Sequence, residues 1–211
     1  MGSSPRVQEL MRRFSEHAYA SYMQGRPALS HLPLLLKYNV SSGLARNADI
    51  LGVTEQYSDW YGISPLNKQG PLLGTSATIE WPACLRPTKL QMSIEHHPWL
   101  DLFPWPTVRD NMLQIFQHAE PDYEDQLCHD ISEYNDLDAR PKLIVWGAPE
   151  DYRSWEIDPV FLEKWGWLLS GCIEVLETTN YWRARRGEKT LSSQEWQSTI
   201  QNSIPKRLTE L

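Results

Sequence analysis

The chain has 211 residues, a formal net charge of −7, and 41% hydrophobic against 22% charged residues. That suits one globular domain with a substantial core and excludes disorder as the main state. The acidic balance, with a pI of about 5.4, argues against a phosphate backbone as the main partner. No run approaches the ~20 apolar residues of a membrane span; the longest, Trp165 to Leu176, is broken by Ser170, Gly171 and Glu174.

Ser4 as N-cap and Pro5 at the first helical position predict a first helix carrying Val7, Leu10, Met11, Phe14, Ala18 and Tyr22 on one face, stopped by Gly25 and Pro27. A second helix is expected from about Leu32 to Gly52, with Leu35, Leu36, Val40, Leu44, Ala48 and Leu51 inward and a break allowed at Ser41 to Gly43. From Val53 to Ala83 glycine, proline, serine and threonine predict a long loop, a candidate lid, with an aromatic turn at Tyr57, Trp60 and Tyr61. Leu85 to Ile94 reads as extended. The prolines of His96-His97-Pro98-Trp99-Leu100-Asp101-Leu102-Phe103-Pro104-Trp105-Pro106 forbid a regular helix there.

Pro106 or Thr107 opens another helix, with Val108, Met112, Ile115 and Phe116 inward, and a polar helix is expected around Tyr123 to Tyr134. Leu143 to Trp146 is strand-like. Asp158 and Pro159 cap and open the strongest element, with Phe161, Leu162, Trp165, Leu168, Leu169, Cys172, Val175 and Leu176 on one helical face running on toward Gly187. A C-terminal helix near Ser193 to Asn202 closes the chain. The fold is read as mainly α: a single-domain helical bundle over 1–211 with long irregular loops and at most a minor strand element.

Cys84, Cys128 and Cys172 are far apart and odd in number, which favours a reducing compartment over a disulfide framework. The N-terminus has no apolar signal region. A cytoplasmic protein is expected, or a nuclear one if it regulates transcription. No His, Cys or acid cluster has metal-ligand spacing, and no nucleotide-binding or hydrolase motif occurs, so neither metal nor cofactor is expected.

The 10 Trp, 9 Tyr and 4 Phe read mostly as core, with a minority lining a cavity. His96 and His97 are adjacent, so on extended backbone they point to opposite faces. Each is open to a hydrogen-bonding or acid–base role or to satisfaction by backbone groups. Arg109 is expected to reach back to Asp101 or a loop carbonyl, as a clamp or as a polar group in a pocket. The basic run Arg183, Arg185 and Arg186 ends a helix, where it complements the dipole.

Several ordered blocks carry a resemblance. Leu85-Arg86-Pro87-Thr88 with Gln91, the segment His96 to Pro104, Arg109-Asp110-Asn111, Val145-Trp146-Gly147 with Trp155-Glu156, Phe161 to Trp167, and Thr179 to Glu188 resemble the domain of unknown function that follows the basic leucine zipper (bZIP) in many fungal transcription-factor-like proteins. Tyr38-Asn39-Val40, Asn47-Ala48, Leu51-Gly52 and Ser64 to Asn67 resemble its opening, so the likeness covers about 30–191, between an N-terminal helix over 1–25 and a C-terminal helix and tail over 192–211. The resemblance implies a fungal origin and a place near secondary-metabolite gene clusters. The N-terminal helix ahead of the domain carries only Arg6, Arg12 and Arg13 as basic Lys/Arg side chains, without heptads, so a stand-alone domain lacking the zipper is expected.

Two functions are weighed. The first is a cofactor-independent cyclase of Diels-Alder type, or an isomerase, acting on an apolar small-molecule intermediate. His97, Arg109 and Asp101 would be its catalytic groups, and His96, Trp99, Trp105, Tyr181 and Trp182 its substrate-binding walls. Holding a flexible substrate in a near-attack shape can supply up to ~10 kcal/mol, and one hydrogen bond would stabilise developing charge. The second is a ligand-sensing or partner-binding regulatory domain. Neither reading calls for nucleic acid or membrane, and a homodimer is allowed for.

Overall fold

A computed structural model describes residues 32–67, 80–118, 122–132 and 142–205, together with residues 9, 13, 14, 16 and 17. The latter five are helical, with Arg13 paired to Glu9 at 2.7 Å. The remainder of the expected first helix, and residues 68–79 of the expected lid, lie outside the described residues.

The fold is mainly α. Helix α1 (Leu32–Leu51) is followed by a short α2 (Thr54–Ser58), then 3-10 turns at Pro65–Asn67, Ala83–Leu85 and Pro98–Leu102. Helices α3 (Pro106–Phe116) and α4 (Asp122–Ser132) lead to strands β1 (Leu143–Val145) and β2 (Trp155–Ile157), which are joined by a turn through Tyr152–Ser154. Helix α5 (Pro159–Trp165), a 3-10 turn at Gly166–Leu169, α6 (Ile173–Arg185) and α7 (Ser193–Ser203) complete it. β1 and β2 pair antiparallel, Leu143 facing Ile157 and Val145 facing Trp155.

Helix α1 runs unbroken through Ser41 to Gly43. Gly43 is there for close approach: a Cβ on it would meet Pro149 Cβ at 3.0 Å. The apolar spacing read from sequence is the buried face, with Leu36, Val40, Leu44, Ala48 and Leu51 in the core. Asn47, on the same face, donates from Nδ2 to the carbonyls of Leu102 (2.8 Å) and Pro149 (3.0 Å). One side chain so ties α1 to the proline-rich segment and to the β1–β2 connection.

Three expectations need correction. Val53 to Asn67 is not loop throughout, because α2 and the Pro65–Asn67 turn form within it. Leu85 to Ile94 is not extended. It winds through the end of a 3-10 turn and a further turn, with Ser93 and Ile94 N–H both donating to Leu90 O at 2.9 Å. The long helix expected from Pro159 to Arg186 is split: α5 gives way to the Gly166–Leu169 turn, and Gly171 reverses the chain with φ +76° before α6. The helical spacing survives across the break because all three pieces bury the same kind of face: Phe161, Leu162, Trp165, Leu168, Leu169, Cys172, Val175 and Leu176 are all core. Gly171 has open space where a Cβ would sit, so its requirement is conformational alone. Gly171→Ala is expected to lower stability by about 1–2 kcal/mol, read as a shifted urea midpoint at unchanged m-value.

Helix α6 packs on β2, α7 on α5, and α3 beneath the Gly166–Leu169 turn. Trp99, Trp105, Trp155, Trp165, Trp167 and Trp196 are buried, so six of the 10 tryptophans are core. Trp105 meets Trp155 edge-on at 5.4 Å, the geometry that indole quadrupoles favour. No helix among the described residues is long and apolar enough to cross a membrane.

Candidate functional site

The proline-rich segment folds back on itself because its start is capped and its polar side chains are drawn inward. His97 is the N-cap of the Pro98–Leu102 turn, and Pro98 supplies the first position without needing an N–H partner. Turning here points Asp101 into the core, where it is fully buried. A bare buried carboxylate would cost several kcal/mol, and the surrounding chain supplies donors to prevent it. Asp101 Oδ2 accepts from Ser64 Oγ at 2.6 Å, and Oδ1 accepts from Gln91 Nε2 at 2.6 Å and from His96 Nε2 at 2.7 Å.

The network continues. Gln91 Oε1 accepts from Arg109 Nε at 2.9 Å and from Thr88 N–H at 2.9 Å. Arg109, on α3 and fully buried, donates to the carbonyls of Cys84 (2.8 Å), Arg86 (2.8 Å) and Phe103 (2.5 Å). Its four hydrogen bonds are spread over an amide and three backbone carbonyls, which holds the Ala83–Leu85 turn, the following loop and the end of the proline-rich segment against α3. Burial pulls its pKa down to about 10, and the charges of Asp101 and Asp110 oppose that pull. Thr88 Oγ1 donates to Asp110 at 2.5 Å, closing the loop on the same helix.

The two adjacent histidines are satisfied differently. His97 Nδ1 accepts from Trp99 N–H at 3.3 Å, and Nε2 donates to Asp59 O at 2.8 Å, a ring with one proton. His96 has acceptors at both nitrogens: Ile94 O at 2.7 Å from Nδ1 and Asp101 Oδ1 at 2.7 Å from Nε2. Burial disfavours charge on the His96 ring. The hydrogen bond to Asp101, the charge of that carboxylate, the Ile94 carbonyl and the charge of Glu124 outweigh it and raise its pKa.

The structure therefore brings His96, Asp101 and Arg109 into one buried network and sets His97 beside it, at the surface loop 59–67. Trp99 is buried, donating from Nε1 to Glu124 Oε1 at 2.8 Å and meeting Phe103 edge-on at 5.5 Å. Trp105 lies in the core with Phe103, Val108, Met112 and Leu127 around a hollow of about 10 Å³, room for roughly one water. Tyr181 and Trp182 belong to a separate cluster. Trp182 stacks on Trp146 at 5.4 Å and 22°, Tyr181 meets Trp182 edge-on, and the Arg185 guanidinium lies 5.6 Å from the Tyr181 ring. Arg186 sits over Trp146 at 5.1 Å.

Gln91 and Ser64 were not singled out as functional, yet Gln91 links Asp101 to Arg109 and Ser64 links Asp101 to the 59–67 loop. Both stand within the ordered blocks, which is the signal that could have found them; the 37 positions between Ser64 and Asp101 hide their contact from spacing. Among the described residues no group of three His, Cys, Asp or Glu side chains is placed to hold a metal ion.

No curated protein and no solved structure matches the chain. A family match covers less than the 30–191 read from the sequence, leaving Ser64 before it and the Tyr181–Trp182–Arg186 cluster beyond it, while enclosing Thr88, Gln91, His96, Asp101 and Arg109. Residues 73–176 match the family model described as a domain of unknown function (DUF3425), and the buried network from Thr88 to Arg109 lies wholly within that match.

Proposed function

We propose that the domain is a regulatory binding module whose Asp59–Ile63 loop engages a Lys/Arg-rich segment of another protein, the class to which the basic region of a bZIP factor belongs. One observation carries the reading: Trp60, Tyr61 and Ile63 stand 52%, 86% and 41% exposed on a loop whose backbone is pinned. His97 holds Asp59 O, and Ser64 N–H donates to His96 O at 2.8 Å. Large aromatics presented on an ordered loop lose little freedom on binding, which is what anchors an interface. Exposed Glu55 and Asp59 flank them, and the chain's net charge of −7 favours a basic partner through both long-range attraction and cation–π contact.

The catalytic reading, cyclisation of an apolar intermediate in a fungal biosynthetic pathway, has less support. A small-molecule site needs a hollow of roughly 300–1,000 Å³, against about 10 Å³ at Trp105. Asp101 and Arg109 also spend their hydrogen bonds inside the protein.

The test is a titration of the full chain against a fluorescent basic-region peptide and an intact bZIP protein carrying the same domain. Binding is expected, weakening with salt, and Trp60→Ala with Tyr61→Ala is expected to reduce affinity at least about tenfold. Absence of binding to both probes, or equal binding by the double variant, overturns the reading.

A further inference from the structure

The pinned loop has a second property, which holds whatever the loop binds. Asp59 to Asn67 is tied to the proline-rich segment at three points: Asp59 O to His97, Ser64 N–H to His96 O, and Ser64 Oγ to Asp101. The last of these depends on the state of the carboxylate at the centre of the network.

Ile94 O can only accept, so the proton on His96 Nδ1 is fixed. Across the 2.7 Å gap between Nε2 and Asp101 Oδ1 a second proton is required, because a lone pair there would face a carboxylate. Oδ1 also accepts from Gln91 and Oδ2 from Ser64, a donor set that suits an ionised carboxylate. The ring is then the imidazolium, in a pair whose side chains are 2% and 0% exposed. The other charges facing this pair are Glu124 from α4, which favours the proton, and Arg109 from α3, whose charge acts on Asp101 directly and whose hydrogen bonding to it runs through Gln91. From the 59–67 loop, the Asp59 carboxylate is occupied by Tyr61 N–H at 3.1 Å.

We propose that the proton shared by His96 and Asp101 latches the Asp59–Asn67 loop onto the 96–101 segment, and that its loss at alkaline pH releases the loop. Deprotonation leaves one ring nitrogen with a lone pair against an acceptor, Ile94 O or Asp101 Oδ1, and in either case removes the positive charge that balances the buried carboxylate. The segment must shift to admit water, and Ser64, itself buried, is the loop residue bonded both to this carboxylate and to the His96 carbonyl. The sign follows from the raised His96 pKa: the stabilisation is complete below the ordinary histidine range and fades as pH rises through the folded-state value.

Two measurements on the full chain test this. In nitrogen-15 NMR of the histidine rings, His96 is expected to show both nitrogens protonated at about pH 7 and to titrate above an ordinary histidine. In hydrogen exchange from about pH 6 to about pH 9, the Ser64 amide's protection factor is expected to fall by up to about tenfold per pH unit above that pKa. In His96→Gln, whose amide can still donate to Asp101 but cannot titrate, the protection is expected to stay level with pH. A His96 ring with a single proton at neutral pH overturns the proposal, and so does an equal pH slope in wild type and variant. Should His96→Gln fail to fold, the ring titration decides by itself. Neither readout involves a partner, so failure of the latch and failure of the binding role are distinguishable.

Discussion

Arg109→Lys is expected to destabilise the protein by about 3–5 kcal/mol, although it keeps the charge. The guanidinium serves four acceptors that lie in three directions: Gln91 Oε1 from Nε, Cys84 O and Phe103 O from Nη1, and Arg86 O from Nη2. An ammonium on a shorter stem reaches one or two of them. Each buried acceptor left without a donor costs about 1–3 kcal/mol, and the loosened Gln91 also loses its orientation toward Asp101. Urea unfolding of wild type and variant gives the difference directly. The result also separates the two roles considered for this residue. A clamp loses stability on this change, whereas an arginine aimed at a ligand keeps the fold and loses only affinity or rate. A lysine variant as stable as wild type would therefore return Arg109 to a ligand-facing role.

What the sequence made legible follows from how local each determinant is. Helix starts were readable where a cap and a proline act within three residues: Asp158 accepts from Val160 N–H ahead of Pro159; the reciprocal capping box of Ser192 with Glu195 is an equally local signal that the structure adds. The interior of α1 was readable from spacing alone. The break at Gly171 was not, since the apolar period runs through it and a lone glycine inside a helical pattern is ordinarily tolerated. Strand β2 escaped because Trp155-Glu156-Ile157 is three residues long and places a buried acid at its centre. That acid makes sense only beside Arg186, 30 positions away.

The candidate site was legible to a similar degree. His96, Asp101 and Arg109 stood out as polar residues amid prolines and aromatics, and they do meet. Their purpose could not be read from spacing, because it depends on Ser64, Gln91 and the loop carbonyls of Cys84 and Arg86 arriving at the same place. A polar residue among apolar ones signals a buried network as readily as a catalytic one, and only the count of partners distinguishes them. With three donors on Asp101 and four acceptors on Arg109, little bonding capacity remains for a substrate. Tyr181 and Trp182 were grouped with this segment as pocket walls on residue type alone. They instead join Trp146 in the ladder that zips the end of α6 to the β1–β2 unit.

That ladder rests on a second ion pair with a large expected effect. Glu156 is 2% exposed, and its carboxylate accepts from Arg186 Nη2 at 2.6 Å, Arg186 Nη1 at 2.7 Å and Trp146 Nε1 at 2.8 Å. The doubly bonded carboxylate, with Glu188 beside it, drives the Arg186 pKa upward. Arg186→Met removes the fork but leaves Glu156 buried with one neutral donor. Arg186 is itself partly open to water, with its side chain 30% exposed, so the loss belongs at the lower end of the range for a broken buried pair, about 2–3 kcal/mol. Its thioether stem still covers Trp146, which confines the change mainly to charge. Glu156→Gln in the same chain is expected to recover at least half of the loss, because the neutral amide can be buried and still accept from Trp146. The single and double variants, with Glu156→Gln alone, form a thermodynamic cycle in urea whose interaction energy measures the pair. A cycle that closes to zero would mean that the stack of Arg186, Trp146 and Trp182 holds α6 by ring packing, with the ion pair a bystander.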